Sequence, residues 1–333
     1  MPITLNGDTG IQTPMYNGTI TANAVTPSVN MKNRIINGAM VIDQRNAGAS
    51  VGLTSSNVYN LDRWFARSAT GSGSTAIQSS TAPSGFINSL LITVGTGASP
   101  SASDNNYFAQ RIEGFNLTDL GWGTASAKTV TISFWVRSSL TGTFGGAIQN
   151  SALNRSYPFT YSISVANTFE YKTVTIAGDT SGTWLTTNGV GIVMTLDLGT
   201  GSTYQGTAGA WASADYRAAT GAVQLIATSG ATFYITGVQL EVGSTATSFD
   251  YRPYGTELAL CQRYFEKASG NMYSSYGATI NYINWYFKAT KRTAPTVTGL
   301  TGTTGELNFD FTSGYSAGAN YAYYSNPTAS AEL

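Results

Sequence analysis

From about residue 31 onward, apolar and polar positions alternate with a period of two. Across residues 129–137, Val130, Ile132, Phe134 and Val136 share one face, and Thr131, Ser133, Trp135 and Arg137 share the other. Residues 190–198 put Val190, Ile192, Met194, Leu196 and Leu198 on a single face. Similar runs cover 86–94, 171–176, 222–228 and 232–242, with Gly/Ser/Thr clusters between them. Short alternating runs broken by glycine turns predict half-buried antiparallel strands and an all-β sandwich. In the last run the apolar phase moves at Gly237, from Phe233/Ile235 to Val238/Leu240/Val242. That shift predicts a β-bulge.

Three segments depart from this pattern. Residues 1–30 are rich in Thr, Asn and Gly, contain Pro2, Pro14 and Pro27, and have no period, which predicts an extended N-terminal arm. Residues 256–267 read as one short helix, with Thr256 as N-cap, Glu257 in the first turn and Lys267 in the last. Leu258, Cys261 and Phe265 form its apolar stripe, so the lone cysteine is expected as a buried hydrophobe. Residues 268–333 form a small C-terminal β-domain dense in aromatics. Residues 251–333 hold 11 of the 20 tyrosines. In residues 279–288 large side chains occupy both strand faces, as in a strand packed between layers or against another chain. A piece of about 65 residues has a thin core of its own, which favours burial between copies. The expected organisation is therefore an arm (1–30), a sandwich (31–255), a linking helix (256–267) and the C-terminal β-domain (268–333).

Composition narrows the chemistry. The chain has 333 residues, 17 Lys+Arg against 17 Asp+Glu, no histidine and one cysteine, and only 10% of residues are charged. Lack of histidine removes the Ser-His-Asp and Cys-His arrangements and the commonest metal ligand. A single cysteine excludes an internal disulfide and multi-cysteine metal sites. Zero net charge with no basic run argues against nucleic acid as a partner. No segment approaches ~18 apolar residues, so no membrane insertion is expected. The opening Met1–Asp8 lacks a basic and an apolar region, which predicts no secretory leader.

Catalysis would have to rest on paired carboxylates. Glu113 with Asp119, or Asp215 beside Trp211 and Tyr216, are the acids at hand, and their spacing singles none of them out. No cofactor is expected. A structural calcium ion is the one metal the composition allows, with donors at Ser103-Asp-Asn-Asn106 and around Glu241. Glycan binding suits the residues better. Tyr and Trp rings stack on the apolar faces of sugars, and Asn, Gln and Thr pair with the hydroxyls. The candidates are Trp122, Trp184, Tyr204 and Trp211 in glycine-rich loops. The C-terminal cluster adds Tyr273, Tyr276, Tyr282, Trp285, Tyr315, Tyr321, Tyr323 and Tyr324.

Three motifs carry a resemblance. Asn33-Arg-Ile-Ile-Asn-Gly-Ala-Met-Val-Ile-Asp-Gln-Arg45 with Tyr59-Asn-Leu-Asp-Arg-Trp64 resembles the opening of a domain found in tailed-phage tail fibres. Gln110-Arg-Ile-Glu-Gly114 is similar to its middle strands. The third motif is the most specific and resembles the domain's close: Thr232-Phe-Tyr-Ile-Thr-Gly-Val-Gln-Leu-Glu-Val-Gly-Ser-Thr-Ala-Thr-Ser-Phe-Asp-Tyr-Arg-Pro-Tyr254, then Glu257-Leu-Ala-Leu-Cys-Gln-Arg-Tyr264. Together they span about residues 31–265. The resemblance implies a jelly-roll sandwich like carbohydrate-binding modules, in a homotrimeric fibre or receptor-binding protein. It further implies attachment to other virion proteins through the arm and contact between the distal C-terminal tip and host cell-surface polysaccharide or other glycan. Such a virion component assembles in the host bacterial cytoplasm. A structural fibre or decoration protein, such as a head fibre or collar, is the alternative. A glycan-cleaving tailspike comes third, since there is no β-helical repeat.

Overall fold

The alternating segments fold as two six-stranded antiparallel sheets packed face to face. The computed structural model describes residues 5–6, 10–11, 32–268, 272–274, 280–301, 303–317 and 322–333. It forms two compact units, Met1–Met31 and Lys32–Leu333. In the first, Leu5–Asn6 (β1) pairs with Gly10–Ile11 (β2).

The second unit opens with β3 (Val51–Gly52), β4 (Val58–Leu61), β5 (Trp64–Ser68), β6 (Thr75–Ser79) and β7 (Ser89–Thr93). Then come β8 (Asn106–Glu113), β9 (Val130–Ser138), β10 (Gly142–Gln149), β11 (Ser156–Ile163), β12 (Glu170–Ile176) and β13 (Val190–Asp197). A small parallel pair, β14 (Gln205–Gly206) with β15 (Ala218–Ala219), precedes the long β16 (Thr232–Val242). The spatial orders are β11-β10-β13-β8-β5-β4 and β12-β9-β16-β7-β6-β3. From β7 to β10 the chain crosses between sheets at every step, and it crosses again at β12, β13 and β16; this is the wrapping of a jelly roll.

The inward positions anticipated for β9, β13 and β16 are buried except at two strand ends, where Val190 is half-buried and Val242 is exposed. Phe108, Phe134, Phe144, Tyr161 and Phe233 meet between the sheets at ring separations of 5.0–6.0 Å. Residues 222–228 differ from expectation. Leu225 and Ile226 are adjacent and both buried, so the segment makes a 3-10 turn (Leu225–Ala227) and plugs the core rather than running as a strand.

The helix also moves. α1 spans Tyr254–Gln262 and follows Pro253, with no side-chain cap from Thr256. It stops short of the expected end at 267 because Phe265–Lys267 (β17) joins a sheet. Cys261 is fully buried with Ile36, Ile42 and Tyr264, and that burial raises its thiol pKa. Beyond it lie β18 (Met272–Ser274), β19 (Ile280–Tyr286), β20 (Thr296–Thr301), β21 (Thr303–Leu307), β22 (Phe311–Ala317) and β23 (Ala322–Ser330). β17, β18 and β20 all pair with β23, and β19-β22-β21 form a second small sheet. These strands belong to the same compact unit as the sandwich. No helix among the described residues is long and apolar enough to cross a membrane.

Charges are concentrated where the C-terminal strands meet the sandwich. Glu332 pairs with buried Arg63 and with Arg45, and Arg63 lies 3.6 Å from the Tyr264 ring centroid. Arg263 forks onto Glu113 at 2.9 and 2.7 Å, and Glu113 also accepts the Tyr264 hydroxyl at 2.6 Å. Lys291 and Glu266 pair at 2.7 Å with both side chains fully buried.

Burial also shifts single carboxyls. Asp62 and Asp197 rise from an ordinary 3.8 to about 6, chiefly through desolvation. Their folded forms hold a proton that the unfolded chain has already released, so stability falls as pH rises through that window. Glu113 behaves oppositely. Burial pushes it up, but Arg263 and the Tyr264 hydroxyl outweigh burial and hold it below the usual range, so its contribution is lost on acidification. Thermal midpoints should therefore fall between about pH 4 and about pH 7 as the two aspartates ionise, and fall again on strong acidification as Glu113 takes up a proton. A midpoint still rising between pH 6 and 8 would contradict these assignments.

Candidate functional site

The outer face of the second sheet carries the residues that alternate with its core. Trp135 of β9 and Tyr171 of β12 stand directly opposite in register, with rings 5.4 Å apart and tilted by 50°. Tyr171 is 43% exposed, so this pair is offered to solvent. Next to it the predicted bulge is present. Between Thr236, opposite Trp135, and Gln239, opposite Ser133, β16 inserts one extra residue. Gly237 takes φ +62°, and a Cβ there would lie 2.6 Å from Phe86 Cζ and 3.1 Å from Trp135 Cδ1. The bare backbone makes room for both rings.

Residues 244–251 then fold back across the same face. The Glu241 carboxylate accepts the Thr247 backbone N–H and hydroxyl at 2.8 and 2.7 Å, and Gln239 Oε1 accepts the Asp250 N–H at 2.8 Å. This places Phe249 and Tyr251 against Phe86, with ring separations of 4.8–5.5 Å, and Tyr251 donates its hydroxyl to the Gly85 carbonyl. Trp135, Tyr171, Phe86, Phe249 and Tyr251 thus border an open cleft of about 610 Å³, with hydroxyls from Ser84, Ser133, Thr247 and Ser248. Among the described residues no charged side chain lines it. A second depression of about 330 Å³ shares Phe86, Phe249 and Tyr251 and extends to Ile87 and Tyr254. An open trough with flat rings on its sides and hydroxyls at its margins can stack pyranose faces and pair with their hydroxyls.

The residues singled out from sequence lie elsewhere. Trp122, Trp184 and Trp211 pack edge-to-face at 4.7–5.5 Å, and each indole N–H is bonded: to Lys128 O, to Asp179 and Ser181 O, and to Ala177 O respectively. Their rings close the edge of the core. Tyr204 is half-buried, with the Arg217 guanidinium 4.7 Å from its ring centroid. Trp285 and Tyr324 are buried together in the small C-terminal core, whereas neighbouring Tyr286 is 69% exposed. Tyr323 is half-buried on β23, paired in register with Tyr273 and Thr301. Tyr282 and Tyr315 are register partners, and for them, as for Tyr273, the backbone alone is described. Tyr276 and Tyr321 lie outside the described residues.

The weighed carboxylates are each occupied. Glu113 is held by Arg263, Asp119 by Arg34 at 2.7 Å, and Asp215 by Arg217 and Gln149. The proposed calcium donors also face protein donors. Asp104 accepts the Ser101 N–H, Asn106 accepts Ala69 N–H, and Glu241 accepts Thr247. No cluster of three or more metal-ligating Asp, Glu, His or Cys side chains exists among the described residues.

Sequence reasoning missed the cleft because Trp135 looked like one outward residue of a regular strand. The signal was present in part: the polar face of residues 129–137 contains a tryptophan, and the phase shift at Gly237 marks where the sheet yields. The return of residues 244–251 had no period to read.

No protein-family profile matches the chain, and no curated protein matches it. Among solved structures it is similar to the enzymatically active domain of bacteriophage CBA120 tailspike protein 4, with 12% identity and a TM-score of 0.35. That match covers 64% of this chain and 22% of the other, so the chain spans about a fifth of that neighbour's length. It is also similar to the family 11 carbohydrate-binding module from Clostridium thermocellum in complex with a β-1,3-1,4-mixed-linked tetrasaccharide (12% identity, 60% and 98% covered, TM-score 0.29). A third is the N-terminal cellulose-binding domain of Cellulomonas fimi β-1,4-glucanase C (13%, 55% and 90%, 0.26). At these TM-scores the likenesses are loose, and nothing about ligands follows from them.

The cleft's dependence on Gly237 is testable. Gly237→Ala introduces both a disfavoured φ and a Cβ against Phe86, so it should destabilise the chain by about 1–3 kcal/mol in denaturant unfolding. Unchanged stability would mean that Phe86 moves aside freely and that the cleft is not held in this shape.

Proposed function

We propose that this chain is a non-catalytic glycan-binding adhesin of a tailed phage, and that the Trp135–Tyr171 cleft is its sugar-contact surface. The observation that carries the reading is the cleft itself: half-buried and exposed rings on a sheet face, hydroxyls around them and no charged group in the lining among the described residues. Such a surface binds by stacking and hydrogen bonding and needs no proton transfer, in keeping with a chain that has no histidine. The resemblance of residues 31–265 to tail-fibre domains supports the phage role. With it come a homotrimer, attachment to the virion through residues 1–30, and host cell-surface glycan as the receptor.

A second reading, a structural virion fibre or decoration protein, is favoured by one feature. On the small C-terminal sheet Tyr286 is 69% exposed and packs on Phe311 at 5.5 Å, and Phe309, in the turn between β21 and β22, is 50% exposed. A strand that buries Ile283 and Trp285 on one face and shows Tyr286 on the other suits packing between copies.

The two separate on a glycan array probed with the full chain and with Trp135→Ala/Tyr171→Ala. The adhesin reading expects glycan binding that weakens by about tenfold or more in the variant, with its oligomeric mass by light scattering unchanged. Absence of binding to any glycan or host surface sinks that reading and leaves the structural one.

A further inference from the structure

Beside the cleft, the same sheet face holds a cation that has no ion-pair partner among the described residues. Arg137 lies two residues beyond Trp135 on β9, about 7 Å along the strand, and opposite Tyr234 of β16. Its guanidinium carbon sits 4.8 Å from the Tyr234 ring centroid and 6.0 Å from that of Phe169. Those two rings meet edge-to-face at 6.1 Å. The side chain is half-buried, and its Nε is buried without a hydrogen-bond partner. None of the ion pairs among the described residues includes it. The nearby acid on β12, Glu170, is taken up by Lys172 at 2.6 Å and by the N–H groups of Ser164 and Val165.

Among the half-buried arginines, Arg34, Arg45, Arg155, Arg217, Arg252 and Arg263 have a carboxylate, Arg111 and Arg292 donate to backbone carbonyls, and Arg67 shares with Arg137 the lack of either among the described residues. Arg137 is instead laid on aromatic rings, which fix the guanidinium plane without satisfying its donors. A planar fork held in this way suits a carboxylate or phosphate oxygen pair.

We propose that Arg137 recognises an anionic substituent on a glycan stacked in the Trp135–Tyr171 cleft, so that the ligand is an acidic rather than a neutral polysaccharide. The proposal rests on the cleft reading and adds the ligand's charge. The face is then ordered along the chain of sugars. Trp135 and Tyr171 take an apolar pyranose face, and Arg137, one strand step further, takes the carboxylate of a uronic-type sugar or a phosphate ester next to it.

The test uses the full chain, Arg137→Gln, Arg137→Lys and Trp135→Ala on an array of uronate-containing, phosphate-bearing and neutral oligosaccharides, read at low and high salt. Wild type should prefer one acidic class, and whether that class is uronate or phosphate-bearing identifies the anion. Arg137→Gln should weaken acidic binding by about tenfold or more and abolish its salt dependence, while leaving any residual neutral binding unchanged. Arg137→Lys should fall between, since it keeps the charge but loses the fork. Trp135→Ala should weaken every class. Arg137→Gln without effect, with Trp135→Ala effective, overturns the role of Arg137 alone. Trp135→Ala without effect overturns the cleft reading, and preference for neutral glycans overturns the acidic assignment. Matching unfolding midpoints for wild type and the Arg137 variants establish that losses are local.

Discussion

An eleven-residue strand cannot keep the same face on the core along its whole length if its apolar residues change phase midway. β16 resolves that conflict by inserting one residue at Gly237, and the consequences reach both sides of the sheet. Inward, Phe233 and Ile235 before the bulge and Val238 and Leu240 after it are all fully buried. Outward, the inserted glycine leaves a gap that Phe86 and Trp135 approach, and that approach shapes the cleft. Its hydrogen bonding is also displaced. The Val238 N–H donates to Gly38 and its carbonyl accepts Asn33 Nδ2, so the bulge anchors the 33–38 segment to the sandwich.

The scarcity of charge gains meaning in the same frame. A neutral chain with few ionic side chains places many of them at one junction, where Arg63, Arg263 and Lys291 find Glu332, Glu113 and Glu266. Buried pairs of this kind add little net stability when formed, yet removing one partner strands the other at about 3–5 kcal/mol. They therefore act as a register for the C-terminal strands against the sandwich. Against that background, Arg137 stands apart from the junction: it lies on the outer sheet face against Tyr234 and Phe169, in none of the ion pairs among the described residues.

Much of the architecture was legible. Period-two alternation located β9, β13 and β16, and the phase shift located the bulge. β10 escaped because Gly142, Gly145 and Gly146 dilute the pattern, although those glycines are needed: a Cβ on Gly146 would lie 2.4 Å from the Thr195 carbonyl oxygen. β11 carries Pro158, tolerated because β11 is an edge strand. The residues that carry the tail-fibre resemblance were legible as a motif, but their purpose became clear only in three dimensions. Arg252 donates to the Asn33 carbonyl and to Glu257, Glu257 accepts the Asn37 N–H, and Gln110 bonds to both the N–H and the carbonyl of Ile36. Those bonds stabilise the fold, whereas Gly237, Thr247, Ser248, Phe249 and Tyr251 of the closing motif line the cleft. The tyrosine excess near the end was a poorer guide, because periodicity cannot say which of two aromatic faces is buried: Trp285 is, and Tyr286 is not.

The central claim is that sugar meets the Trp135 face. With six tryptophans in the chain, 5-fluorotryptophan labelling and fluorine NMR, assigned by single Trp→Phe variants, reports on each indole separately. On titration with an array-selected oligosaccharide, the Trp135 resonance should shift or broaden, while those of Trp122, Trp184, Trp211 and Trp285 hold still. A silent Trp135 with movement at the Trp122–Trp184–Trp211 cluster or at Trp285 would contradict the account and return the site to the loops or the C-terminal strands.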